Sequence, residues 1–231
     1  MKVESEFVTS AAGAAGFPLG GLPEVAFVGR SNVGKSTLIN ALVRKKLART
    51  SAAPGKTRLA NFYRVAAEQR PVFHLVDLPG YGYARGGDKT REEFDALAAE
   101  YFGSRSGDGE DADAALPGTR GVLTGVLALV DSRHPGLEAD RRAWNWMSRL
   151  GVIRHVVATK LDKLTRADRQ RHIRELERIY SGPVTPVSAE TGEGLDELWK
   201  TIVRCWSKRI NFSFLWRGAD SGPVLCWRGY Y

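Results

Sequence analysis

Gly29-Arg30-Ser31-Asn32-Val33-Gly34-Lys35-Ser36 follows the apolar run Val25 to Val28 and precedes the helix-forming Leu38-Ile39-Asn40-Ala41-Leu42. This is the G-x-x-x-x-G-K-[ST] spacing, in which glycines let backbone N–H groups turn inward around a phosphate. The helix that follows adds the positive end of its dipole. Lys35 would reach the β- and γ-phosphates as a point charge, and the Ser36 hydroxyl would coordinate Mg²⁺. An incidental Lys-Ser in a glycine-rich turn would lack both flanks.

Three further fragments supply complementary chemistry. Asp77-Leu78-Pro79-Gly80 ends the apolar run Val72 to Val76, a position from which Asp77 can hold Mg²⁺ through water and the Gly80 amide can donate to a γ-phosphate. In Pro54-Gly55-Lys56-Thr57-Arg58, Thr57 could add a hydroxyl to the same ion, although chemistry alone reads this stretch equally well as an ordinary Pro-Gly turn. Thr159-Lys160-Leu161-Asp162 follows the run Ile153 to Ala158. A carboxylate at Asp162 can accept from both N1–H and the exocyclic amine of guanine, whereas adenine presents no such donor pair, so GTP is favoured over ATP. Lys160 would lay its alkyl stem along the base, Thr159 would tie neighbouring loops, and Val187-Ser188-Ala189 would offer backbone N–H groups to the guanine carbonyl.

The elements that must position these groups alternate along the chain as βα units of an α/β fold around a mostly parallel sheet. Strands are expected at Val25 to Val28, Val72 to Val76, Val122 to Val130, Ile153 to Ala158 and Val184 to Val187, with an extra strand over Arg58 to Val65. Helices are expected at Lys35 to Arg44, Thr90 to Phe102, Leu137 to Leu150, Arg166 to Tyr180 and Leu195 to Lys208. The parallel arrangement brings the phosphate loop, Asp77 and Asp162 to one sheet edge.

At 231 residues and 43% hydrophobic, the chain suits one large domain and is outside the disordered class. Residues 1–22 read as an N-terminal extension, 23–208 as the nucleotide domain, 103–121 as a Gly-, Ser- and Asp-rich surface insertion, and 209–231 as a basic aromatic tail. Only Cys205 and Cys226 occur, too few for a disulfide framework, which fits a reducing cytoplasmic setting. No apolar run approaches the ~20 residues of a membrane span. The net charge of +8 points to an anionic partner, and it is concentrated late in the chain: Lys200, Arg204, Lys208, Arg209, Arg217 and Arg228 stand against Asp220 alone. Trp199 and Trp206, seven apart on a helix, suit packing against the sheet better than contact with RNA.

In order and spacing these motifs resemble the translation-factor-related superclass of P-loop GTPases. Gly29 to Asn40, Pro54-Gly55-Lys56-Thr57 with Asn61-Phe62-Tyr63, and above all Asp77-Leu78-Pro79-Gly80-Tyr81-Gly82-Tyr83-Ala84 look like the EngB (YihA, YsxC) family, and Asp131-x-Arg133-His134 agrees. The resemblance implies a three-layer domain with a six-stranded sheet and a GTP-hydrolysing switch. It also implies Mg²⁺, a role in large ribosomal subunit assembly, and a requirement in cell division and septation. The contact set carried over is Gly29, Arg30, Ser31, Asn32, Val33, Gly34, Lys35, Ser36, Gly55, Lys56, Thr57, Arg58, Leu59, Asp77, Leu78, Pro79, Gly80, Thr159, Lys160, Leu161, Asp162, Val187, Ser188 and Ala189. Of these, Lys35, Thr57 and Gly80 would act on the γ-phosphate, and Ser36, Thr57 and Asp77 on Mg²⁺. Tyr81 stands where Ras-type enzymes carry a water-orienting Gln, which implies slow intrinsic turnover, and Asn32 is the candidate ligand for an activating K⁺. Tyr81, Tyr83 and Arg85 are candidate readers of the nucleotide state, or else residues packed under a loop. A monomer with ribosomal RNA and protein as partners is expected. An ATP-dependent kinase, an RNA-binding module with little turnover and a direct septation factor are the competing readings.

Overall fold

The computed structural model describes residues 2–48, 59–67, 72–81, 87–105 and 121–210. In chain order the strands are β1 (Val3–Ala11), β2 (Pro23–Gly29), β3 (Ala60–Ala67), β4 (Phe73–Asp77), β5 (Val122–Asp131), β6 (Ile153–Thr159) and β7 (Val184–Pro186). The helices are α1 (Lys35–Val43), α2 (Gly87–Arg105), α3 (Glu138–Met147), α4 (Arg166–Tyr180) and α5 (Leu195–Ile210). One sheet runs in the order β1-β3-β4-β2-β5-β6-β7. From β4 across to β7 every pairing is parallel, whereas β3 is antiparallel to both β4 and β1.

The central strands are apolar throughout because both of their faces are covered. In β2, Val25 and Phe27 pack with Leu38, Ile39 and Leu42 of α1 and with Leu198, Ile202 and Cys205 of α5. Their neighbours Ala26 and Val28 point the other way, toward Leu97, Tyr101 and Phe102 of α2 and Met147 of α3. The same alternation sends Tyr63 and Val65 of β3 to the first core and Ala60 and Phe62 to the second. Gly125 lets α5 lie directly on β5, since a Cβ there would stand 2.5 Å from that of Cys205. Trp199 packs edge-on against Phe73 at 6.3 Å, as its helical spacing implies. The side chain of Trp206 and the tail from 211 lie outside the described residues.

The α/β layering is as expected, with two corrections. The sheet has seven strands among the described residues, not six, because Val3–Ala11 of the supposed extension pairs with β3 from Val3↔Ala67 to Ala11↔Ala60. Phe7 meets the Tyr63 ring at 6.0 Å, and the register shifts between Phe7 and Thr9. Helix α2 also runs to Arg105, inside the segment expected to be a surface insertion. Arg105 is only 4% exposed; its Nε lies 3.3 Å from Glu24 Oε2, and its Nη2 donates to the Pro18 carbonyl at 2.9 Å. The Tyr101 hydroxyl donates to the same carboxylate at 2.9 Å, and His74 Nδ1 lies 3.7 Å from its other oxygen. This buried cluster joins the end of α2 to the starts of β2 and β4 and to the segment after β1. Residues 106–120 are outside the described residues.

Candidate functional site

Parallel pairing of Phe27 with Asp77 and of Gly29 with Leu129 delivers the ends of β2, β4 and β5 to one edge. A Cβ on Gly29 would stand 2.8 Å from the Leu129 carbonyl, so the loop can leave the sheet this closely only at glycine. Asn32 (φ 62°) and Gly34 (φ 104°) curl the chain, and α1 begins at Lys35 with no side-chain cap. Its open N–H groups and positive dipole end therefore face the loop. Lys35 is buried, with Nζ donating to the Gly29 carbonyl at 3.2 Å. Burial lowers its pKa, an effect Asp77 partly offsets.

Ser36 Oγ donates to Asp77 Oδ2 at 2.9 Å. Burial pushes the Asp77 carboxyl above its ordinary pKa, while Lys35 and Ser36 pull it back. Its Oδ1 has no hydrogen-bond partner among the described residues although the side chain is buried. An uncommitted carboxylate oxygen beside a hydroxyl is the hard-oxygen donor set that Mg²⁺ prefers.

The chain leaving β4 then closes onto the phosphate loop. Ser31 N donates to the Tyr81 carbonyl at 3.0 Å and Ser31 Oγ to the Gly80 carbonyl at 3.3 Å. A Cβ on Gly80 would stand 2.7 Å from Ser31 N, so nothing larger fits. The Tyr81 phenol donates to Asp140 Oδ1 at 2.9 Å, and Arg30 Nε lies 3.5 Å from the same oxygen. Leu78 is buried behind this turn, while Leu59 is exposed just before β3. Gly55, Lys56, Thr57 and Arg58 lie outside the described residues, as do Tyr83 and Arg85.

The third part comes from β6. Thr159 Oγ1 donates to the Val33 carbonyl at 2.7 Å and to that of Val130 at 3.1 Å. Lys160 (φ 61°) extends Nζ to the Asn32 carbonyl at 2.6 Å and to Asp131 Oδ2 at 3.0 Å. Asp162 accepts from Ser188 Oγ at 2.7 Å and pairs with Lys163 at 3.1 Å. Burial would raise its pKa, but Ser188 and Lys163 outweigh this and hold it below the ordinary carboxylate value. It is therefore an ionised acceptor. A cavity of about 130 Å³ opens between these elements, lined by Val33, Gly34, Thr37, Lys160, Asp162 and Ala189, among others.

One expectation changes in detail. Val187 N donates to the Ala158 carbonyl at 2.8 Å and Ser188 N to that of Glu193 at 2.9 Å, so strand pairing and turn closure already use two of the three amides assigned to a base. Ala189 remains at the cavity wall, and Ser188 acts through its hydroxyl. Sequence reasoning assigned no role to Asp131 and passed over Asp140. Asp131 stood within a motif noted only for its family likeness. Asp140 lies in the first turn of α3, where an acidic residue is ordinary and gives no signal of a site.

A glycine-turned phosphate loop between β2 and α1, a buried Asp at the end of β4 and an Asp-bearing loop after β6 on a mainly parallel sheet define a P-loop GTPase. A family model described as 50S ribosome-binding GTPase matches residues 24–107. The probable GTP-binding protein EngB of Pelotomaculum thermopropionicum is 41% identical over 210 residues, 88% of this chain and 96% of that protein. Its counterpart in Symbiobacterium thermophilum is 41% identical over 87% of this chain and 95% of its own length. The chain belongs to the EngB family of GTP-binding proteins. The crystal structure of a probable EngB superposes with a TM-score of 0.58 at 22% identity, covering 80% of this chain and 99% of that one. That of Era with MgGDPNP and part of 16S ribosomal RNA gives 0.64 at 24%, covering 88% of this chain and 60% of that one. These two likenesses bear on the fold. The protein is a GTPase, and none of its described helices is long and apolar enough to cross a membrane.

Proposed function

We propose that the cavity holds GTP or GDP, with the phosphates on Gly29 to Ser36 and guanine against Lys160, Asp162 and Ala189. One observation carries this: Thr159 and Lys160 of the base loop are hydrogen-bonded to Val33 and Asn32 of the phosphate loop, which supports reading the two loops as parts of one site. Lys35 neutralises the terminal phosphates, and the Gly80 amide donates to the γ-phosphate. Mg²⁺ fits Ser36 and Asp77 and, when bound, neutralises charge developing on the phosphates. Tyr81, whose hydroxyl is committed to Asp140, does not orient a water, so intrinsic turnover is slow. The exposed Asn32 side chain is the group available to K⁺, and equal turnover in K⁺ and Na⁺ at matched ionic strength would remove that role. Displacement of a fluorescent GDP tests the site: GTP and GDP compete and ATP does not, whereas equal competition by ATP overturns it.

The switch serves assembly of the large ribosomal subunit in the cytoplasm, with the requirement in division and septation following from it. The description of the matched family and the basic excess from Lys200 onward support this reading. The protein acts as a monomer. Co-sedimentation with large subunits should be stronger with a GTP analogue than with GDP and should weaken as salt rises. Binding indifferent to nucleotide would count against the switch.

A further inference from the structure

Asp140 lies outside every motif that binds a nucleotide, yet it is 2% exposed and holds two residues at the site edge. It sits in the first turn of α3, which the topology brings beside the ends of β2 and β4. One carboxylate oxygen accepts from the Tyr81 phenol and faces Arg30 Nε. Arg30 and Tyr81 are also joined as an isolated parallel bridge, and Ser31 N–H is spent on the Tyr81 carbonyl. Gly80 is pressed against Ser31 closely enough to exclude a single methyl group.

We propose that Asp140 is a positioning residue that sets the preference between GDP and GTP, latching Gly80 and Tyr81 onto Arg30 and Ser31 in a docking that a γ-phosphate has to displace. This rests on the reading of Gly29 to Ser36 as the phosphate site. Both Ser31 and Gly80 carry amides suited to a terminal phosphate, and in the latched arrangement Ser31 N–H is committed elsewhere. A contact present only without the γ-phosphate subtracts from GTP affinity and leaves GDP affinity unchanged. Burial pushes the Asp140 carboxyl above its ordinary pKa, with the Tyr81 hydrogen bond and Arg30 pulling it partly back and the Asp131 charge adding to the rise.

The test measures dissociation constants for fluorescent GDP and a non-hydrolysable GTP analogue on the full chain, Asp140→Asn, Tyr81→Phe and the double variant. In Asp140→Asn the analogue should bind about tenfold tighter, the weight of one hydrogen bond to a charged group, with GDP within about twofold. Tyr81→Phe removes a single hydroxyl and should move the ratio in the same direction by a smaller factor. The double variant should add little to Asp140→Asn, since both act on one contact. A GTP-to-GDP ratio unchanged in Tyr81→Phe and in Asp140→Asn overturns the latch, as does an equal shift for both nucleotides. Failure of the wild-type chain to bind GDP overturns the underlying site reading instead.

Discussion

Replacing Asp131 by Asn isolates the group that aims Lys160. The carboxylate is 3% exposed and accepts from Arg133 Nε at 2.9 Å, Arg133 Nη2 at 2.7 Å and Lys160 Nζ at 3.0 Å. Asn keeps the shape and one acceptor but turns an N–H₂ toward a cation. Breaking a buried pair costs about 3 to 5 kcal/mol, but both cations here are partly exposed and can rehydrate, so a loss of about 2 kcal/mol is expected. For a chain of this size that lowers Tm by about 4 to 8 °C. Lys160 then reaches Asn32 without its second tether, and the freedom regained by one long side chain weakens GDP binding about tenfold. Fluorescent GDP titration and thermal melting read the two effects separately. A lowered Tm with an unchanged GDP dissociation constant would refute the aiming role and leave Asp131 a structural residue.

The same group carries a pH signature. Burial alone would raise its pKa, but hydrogen bonds from Arg133 and Lys160 outweigh it and hold Asp131 well below the ordinary carboxylate range. A depressed folded pKa contributes stability above the unfolded value of about 3.9 and loses it as pH falls through the folded value. The Tm gap between wild type and Asp131→Asn is therefore constant near neutrality and closes only in acid below about pH 4.

Three other perturbations test separate parts. Gly80→Ala places a methyl 2.7 Å from Ser31 N, so single-turnover GTP hydrolysis should fall at least about tenfold while the far-UV spectrum is unchanged. Glu24→Gln leaves Arg105 buried without its countercharge and should lower stability by about 3 kcal/mol in urea melts, with GDP affinity retained in the folded fraction. The Cys205 thiol, pushed up to about 11 by burial, should resist labelling in the native protein at pH 8, and rapid native modification mapped to Cys205 would contradict its packing.

What the sequence made legible is local. The passage from an apolar strand through Gly29 and Gly34 into α1 is written in consecutive residues; Asp77 stands directly at the end of an apolar run, and Asp162 stands in the short polar segment after another. What it concealed depends on distant convergence. β1 alternates only until its register shift, and an edge strand with one wet face carries too few apolar residues to stand out. Arg105 sits at the start of a polar, glycine-containing run, and its partner Glu24 is far back in the chain. Asp140 becomes meaningful only when the sheet order sets α3 beside Arg30 and Tyr81, and the Ser188 hydroxyl, as distinct from its amide, only when the turn after β7 brings it to Asp162.

The buried cluster around Glu24 gives α2 the mechanics of a lever. The helix has 19 residues and spans about 28 Å at 1.5 Å per residue. Its far end is fixed by Arg105 and Tyr101 on Glu24, and its near end begins at Gly87, a few residues beyond Tyr81. A tilt of about 10° about that fulcrum carries the near end about 5 Å while leaving the ion pair almost where it was. The fulcrum also holds the Pro18 carbonyl, so the segment between β1 and β2 is tied to the fixed end of the helix.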